Sequence, residues 1–217
     1  MVASIPNDIF QFSTYSAIEN GFSQGQPRAS DLSSHGTDGI GFFENGYVMI
    51  LANGSVYTMD VKGHVKLASP SSRLPFAMVT IFQPMRAVVA QNPTLEIIDE
   101  LLSSVENTGG PNTLMPFKIE EIELDHGSIC GTSMHKNPTA ELITNMKGVI
   151  FGFVVPNWMK GISGQRVHCY FLSSDIRIGG RLLGFQSTGE FTITFARCGR
   201  FHLGFPQSAE WEELKFV

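Results

Sequence analysis

Apolar and polar positions alternate along much of the chain in the way β-strands require. "IFQFS" (residues 9–13) has the two-residue period of a short strand, and "TYSAIENG" then reads as a short helix closed by Gly21. A polar, Gly/Ser-rich stretch follows from about residue 23 to 39, and a loop that long in a compact chain is commonly functional or mobile. Short β-rich runs come next, "IGFF", "YVMILA", "VYTMDV" and "HVKLA", separated by Asn45-Gly46, Asn53-Gly54 and Lys62-Gly63. Tight glycine turns between such runs predict an antiparallel meander. "FAMVTIF" (76–82) is a further strand.

One long helix breaks the pattern. Thr94 is placed to cap it, Ile97, Ile98, Leu101, Leu102 and Val105 share one face, and Gly109-Gly110 stop it, so the helix spans about residues 93–107. After "NTLMPFKIEEIEL" the chain is again β: "KGVIFGFVV", "RVHCYFLS", "RLLGF", "EFTITFA" and "RFHLGF". The tail "SAEWEELKFV" has room for a last helical turn or two. The expectation is an α+β, mostly β fold. A single domain over 1–217 would hold two packed β-sheet subdomains, about 1–115 and 116–217, with the helix as crossover and no internal repeat.

Composition narrows the function classes. Hydrophobic residues are 42% and charged residues 16%, so a sizeable core is expected rather than disorder. The net charge of −5 comes with no basic block to neutralise phosphates, which disfavours nucleic acid as a partner. No run reaches the eighteen or so apolar residues of a membrane helix, and "MVASIPNDIFQFST" lacks the charged-then-apolar pattern of a secretory signal. Cys130, Cys169 and Cys198 are odd in number and widely spaced, as free thiols in a reducing compartment would be. We therefore expect a cytoplasmic protein with no membrane partner, in which the sequon at Asn53 carries no sugar.

Candidate chemistry concentrates in "RVHCYFLSSDIRIGGRLLGF" (166–185), two strands around a turn, with His168, Tyr170 and Arg181 at its centre. With "IFQFSTYSAIENGFSQG", "DGIGFFENGYVMILANGSVY", "LPFAMVTIFQP" and above all "GVIFGFVVPNWMKGISGQRVHCYFLSSDIRIGGRLLGFQ", the chain resembles the α-acetolactate decarboxylases. Pro156, Lys160-Gly161-Ile162, Gly164 and Gly179-Gly180 fall where that family has equivalents. The resemblance implies the family's fold, a zinc ion held by three histidines, acetoin formation from α-acetolactate, and a homodimer. The family places a histidine, any residue, a histidine, and a third histidine after the paired glycines. Here those positions carry His168, Tyr170 and Arg181, so the spacing is kept while two ligands are replaced. The family's glutamate from the first meander corresponds to Val48 or Tyr47, its arginine falls near Ile129, and Glu210, Glu212 and Glu213 are the only counterparts to its C-terminal glutamate.

His168 and Tyr170, two apart on a strand, share a face, and Cys169 takes the other. Arginine keeps its proton, so Arg181 brings a fixed positive charge to the place of a dication. At ~4 Å and an effective dielectric of about 20 each unit repulsion costs roughly 4 kcal/mol, doubled for a dication. No metal and no other cofactor is therefore expected. Arginine, tyrosine and histidine can instead bind a carboxylate or polarise a carbonyl, with Tyr170 donating to an oxyanion or enolate and His168 moving a proton. Lys118 would add a second cation, offset by Glu120 and Glu121, and Tyr47, Val48 and Trp158 would contact substrate. Seventeen phenylalanines, and Val48 or Tyr47 in place of a glutamate, favour a larger and less polar ligand than α-acetolactate. The leading expectation is a metal-independent lyase- or cyclase-type enzyme, performing decarboxylation, isomerisation or cyclisation as in secondary metabolism. A non-catalytic binding homologue and a residual α-acetolactate decarboxylase are the alternatives.

Overall fold

The computed structural model describes residues 6–104, 110–132 and 139–216. Strand β1 (Ile9–Phe12) leads into helix α1 (Tyr15–Glu19), whose start is capped by the Thr14 hydroxyl accepting from the Ala17 amide. The polar stretch expected to be a loop contains a 3₁₀ turn (Ala29–Ser34), and strand β2 (Asp38–Phe42) starts at its end. The meander then runs through β3 (Val48–Ala52), β4 (Ser55–Met59) and β5 (Val65–Leu67) to β6 (Phe76–Thr80). Strand β7 (Arg86–Gln91), which its exposed alternating pattern hid in the sequence, precedes helix α2 (Leu95–Ser103). Val105 and Gly109 of the expected helix lie outside the described residues.

The segment containing "MPFKIEEIEL" begins the longest strand, β8 (Met115–Cys130), which pairs along nearly its whole length with β9 (Glu141–Val154). A short helix α3 (Lys160–Ser163) then turns the chain into β10 (Val167–Ser173), followed by β11 (Gly179–Gln186), β12 (Glu190–Phe195), β13 (Phe201–Gly204) and helix α4 (Ala209–Glu212). The fold is mostly β with two sheets and few helices, as its sequence pattern implied.

The first sheet has the order β13-β1-β6-β2-β3-β4-β5 and the second β11-β10-β9-β8-β12-β7. Each therefore takes one strand from the other half of the chain: β13 joins the first sheet, parallel to β1, and β7 joins the second. A boundary near residue 115 is crossed in both directions, so the sheets do not coincide with sequence halves. Strand β8 also bends round to pair its last residues with β11, closing a ring β8–β9–β10–β11.

Three apolar layers result. Ile40, Phe42, Val48, Ile50, Phe76 and Met78 of the first sheet face Phe151, Phe153, Tyr170 and Leu172 of the second. The other face of the second sheet packs Phe117, Ile119, Cys169, Phe171 and Phe195 with Ile98 and Leu102 of α2. Beyond the first sheet, Leu32 of the 3₁₀ turn covers Met49, Leu51 and Val79. Burial on both faces explains why these strands read as near-continuous apolar runs rather than strict alternations.

Candidate functional site

The two sheets part at one end of the central layer to leave a cavity of about 370 Å³. Asp38, Ile50, Ala52 and Tyr57 line it from the first sheet, and Lys118, Phe151, Tyr170 and Leu172 from the second. Cross-strand register sets the second wall. Cys130 opposes Arg181, Arg181 opposes Tyr170, Tyr170 opposes Phe151, and Phe151 opposes Lys118. Directly opposed residues share a face, so these side chains form one row pointing at the first sheet. Tyr170 is where the row meets the inner end of the cavity.

The polar groups of this row differ in how they are balanced. Lys118 is nearly buried and its Nζ lies 3.6 Å from Asp38 Oδ1 and 3.3 Å from the exposed Glu120 carboxylate. Burial raises the Tyr170 phenol above its ordinary value, against the opposing pull of Arg181, so it remains a protonated donor near neutral pH. Arg181 is 6% exposed, and its Nε–H has no acceptor. His168 is buried with its Nε2 2.7 Å from the Ser163 carbonyl oxygen, which accepts the ring N–H. Ser163 in turn donates its hydroxyl to Gln11 Oε1 at 2.6 Å, tying α3 to β1. Desolvation, helped by the Arg181 charge, lowers the His168 pKa from 6.5 to about 4, so the ring is neutral under physiological conditions.

The sequence-based candidates thus separate. Tyr170 and Lys118 line the cavity, and Arg181 stands beside Tyr170. Val48 shares the face of Ile50 and Ala52 but lies one pleat beyond the cavity, fully buried, its amide donating to the Gly131 carbonyl. Tyr47 is half-buried and bridges to Thr132 rather than lining the cavity. Trp158 is not at this site: it is 66% exposed and lines a separate surface depression with Arg197 and Cys198. The register puts Cys130, not its neighbour Ile129, in the row, since Ile129 packs in the opposite layer. Glu210 accepts from the Ser23 and Gln24 amides, and Glu212 and Glu213 are exposed. Sequence reasoning missed Asp38 and Tyr15. Asp38 sits in a polar stretch with no pattern of its own, and Tyr15 reaches His168, at 6.1 Å between ring centroids, only through tertiary packing.

These residues do not fit a zinc ion. The one retained imidazole spends its Nε2 on a backbone carbonyl, a phenol and a guanidinium fill the neighbouring positions, and Cys169 faces the other layer. Among the described residues no three His, Cys, Asp or Glu side chains converge on a metal position.

Backbone strain gathers at the cavity mouth. Ile176, in the β10–β11 turn, is a β-branched residue at φ 58°, and Glu121, at the β8 bulge, has φ 54°. A left-handed conformation is costly for isoleucine. Replacing Ile176 by Asn is expected to stabilise the protein by about 1 kcal/mol in urea titrations; a loss of stability would mean that its apolar contacts outweigh the strain.

Comparison with known proteins gives a consistent picture. The sequence profile of a family described as alpha-acetolactate decarboxylase matches residues 9–125 and 131–217. An alpha-acetolactate decarboxylase of Klebsiella aerogenes is 27% identical over 216 residues, covering 91% of this chain and 80% of that protein. That of Methylococcus capsulatus is 24% identical, covering 90% and 82%. The crystal structure of the Bacillus subtilis alpha-acetolactate decarboxylase superposes with a TM-score of 0.86 at 20% identity, covering 96% of this chain and 93% of that one. A Staphylococcus aureus protein of unknown function, described as similar to the same enzyme, gives a TM-score of 0.86 at 18% identity, covering 97% and 95%.

Proposed function

The chain belongs to the alpha-acetolactate decarboxylase family, and from that premise we propose that it acts without a metal on a carbonyl- or carboxylate-bearing small molecule larger and less polar than α-acetolactate. The observation that carries this reading is Tyr170, a protonated phenol at the inner wall of a cavity lined by both apolar side chains and the charged groups Lys118, Asp38, Glu120 and Glu121. A cavity with apolar walls and a few convergent polar groups is the usual form of a small-molecule site. There Tyr170 donates to a carbonyl oxygen as negative charge develops on it, which supports decarboxylation, enolisation or cyclisation of the kind secondary metabolism uses. Lys118 orients an acidic or carbonyl group from the outer side. His168 serves in this proposal as a positioning residue that fixes α3, because its ring is neutral and its Nε2–H is committed. A cytoplasmic homodimer remains part of the same proposal; β7, the edge of the second sheet, exposes Val89.

The test starts with metal content. Protein expressed in zinc-supplemented medium, purified without a tag and analysed by inductively coupled plasma mass spectrometry is expected to hold far less than one zinc per chain. Stoichiometric zinc, with acetoin formation abolished by a chelator, would overturn the reading. A panel of hydroxy-keto acids and unsaturated ketones is then assayed against the wild type and Tyr170→Phe. Loss of a single oxyanion donor is expected to lower kcat by about 100-fold while the melting curve holds. Unchanged turnover in Tyr170→Phe would remove Tyr170 from the chemistry. One observation favours a second reading, a binding homologue without turnover: His168 and Arg181 are both buried beyond the cavity wall. It predicts ligands that bind and are released unchanged.

A further inference from the structure

Arg181 is a buried cation without a counter-ion among the described residues. Its Nε–H lacks an acceptor, and none of the ion pairs among the described residues includes it. Tyr15, His168 and Tyr170, which feel its charge, are uncharged near neutral pH. Tyr170 opposes it on β10 and Cys130 on β8, while Tyr15 and His168 are held uncharged by burial. A guanidinium does not shed its proton, so neutralising itself is closed to this residue. A lone charge under low dielectric is strongly unfavourable until an opposite charge joins it.

We propose that Arg181 is the receptor for a single carboxylate, its one fixed positive charge standing in the place where the family resemblance implied a metal dication. A carboxylate is planar and offers two oxygens to the guanidinium fork. Lys118 already has Asp38 and Glu120 against it, so it offers no spare charge, and Arg181 is the cation of the row that has no carboxylate partner among the described residues. One guanidinium charge is matched by a monoanion, while a phosphate dianion would leave a negative charge over beside the Asp38 and Glu120 carboxylates. Tyr170 lies between Arg181 and the cavity, so in this proposal the phenol side chain moves aside for the acid's carboxylate to reach the guanidinium. This inference rests on the reading that the inter-sheet cavity is the binding site, and it commits that site to acids.

Acetate, chloride and inorganic phosphate as sodium salts, titrated at matched ionic strength, provide the test. Melting temperature and the carboxyl-carbon NMR linewidth of labelled acetate are followed for the wild type, Arg181→Met and Lys118→Gln. Saturating acetate is expected to raise the wild-type melting temperature by about 5 °C, with chloride and phosphate giving no comparable rise. In Arg181→Met the acetate effect and the line broadening vanish, and the acetate-free protein melts above the wild type because the unpaired charge is gone. A purely structural arginine gives the opposite pattern, a lower-melting variant that responds to acetate as the wild type does, and that result overturns the proposal. Should Arg181→Met fail to fold, Arg181→Lys, which keeps the charge but loses the fork, is expected to weaken acetate about ten-fold. Chloride matching acetate overturns the carboxylate assignment. An acetate effect lost in Lys118→Gln but kept in Arg181→Met overturns it too, while leaving the cavity reading intact. No acetate effect in any protein also overturns it, and the Tyr170→Phe assay then judges the cavity separately.

Discussion

Gly152→Ala is expected to abolish the folded protein, with a destabilisation of more than about 3 kcal/mol. Gly152 lies mid-strand on β9, opposite Cys169 on β10 and Phe117 on β8. A Cβ there would fall on the carbonyl oxygen of His168 and come within 2.9 Å of Phe117 Cε1. The carbonyl belongs to a paired strand, so relief needs β10 to move away from β9. That movement would break the ladder that holds His168, Tyr170 and the Arg181 partner strand in register. The measurement is soluble yield followed by thermal melting in circular dichroism. Gly184→Ala on β11 is the control: nothing lies within 4 Å of its added Cβ, so it should stay within about 0.5 kcal/mol of the wild type. Equal behaviour of the two variants would mean that β9 and β10 are not in the close contact described.

The second large effect is acid lability through His168. Its pKa is 6.5 in the absence of burial and about 4 in the folded protein, so the unfolded chain binds the proton more readily. Below pH 6.5 protons therefore draw the equilibrium toward unfolding, and stability falls until about pH 4, where the folded form protonates as well. Above pH 6.5 this contribution is fully present. The depression of about 2.5 units corresponds to about 3 kcal/mol lost across that window. The groups facing the ring reinforce it: Arg181 repels a second positive charge, and Tyr15 and Tyr170 are neutral. Burial lowers the His35 pKa too, in the same direction, so the wild-type slope alone does not isolate His168. His168→Gln is expected to be less stable at pH 7.5 but to lose about 3 kcal/mol less between pH 6.5 and 4 in urea titrations. Parallel pH profiles for the two proteins would show that His168 is not held neutral.

How far the site could be seen in advance depends on how local its determinants are. The correspondence of Tyr170 and Arg181 to two family ligands is implied by the resemblance through spacing alone, because the paired glycines and the turn at 160–164 keep the frame. That His168 and Tyr170 share a face, and Cys169 the other, follows from the two-residue period of a strand and holds in the structure. Trp158 was drawn toward the site by its place in the most family-like stretch, yet its side chain is out in solvent at a turn, where no period constrains direction. Val48, expected to contact substrate, faces inward from β3 but lies outside the cavity lining.

By itself the sequence determined the β-rich class, the strands of the meander, the α2 helix and the family, since each depends on periodicity, turn residues or motif spacing within a few tens of residues. Its spacing also puts Tyr170 and Arg181 where the family resemblance implies two of the zinc ligands. Only the tertiary structure decided that β7 and β13 exchange sheets, that Asp38 comes across to balance Lys118, and that no carboxylate among the described residues does the same for Arg181. Those outcomes are long-range pairings between segments far apart in the chain, and no local pattern encodes which charges will meet when two sheets close on one another.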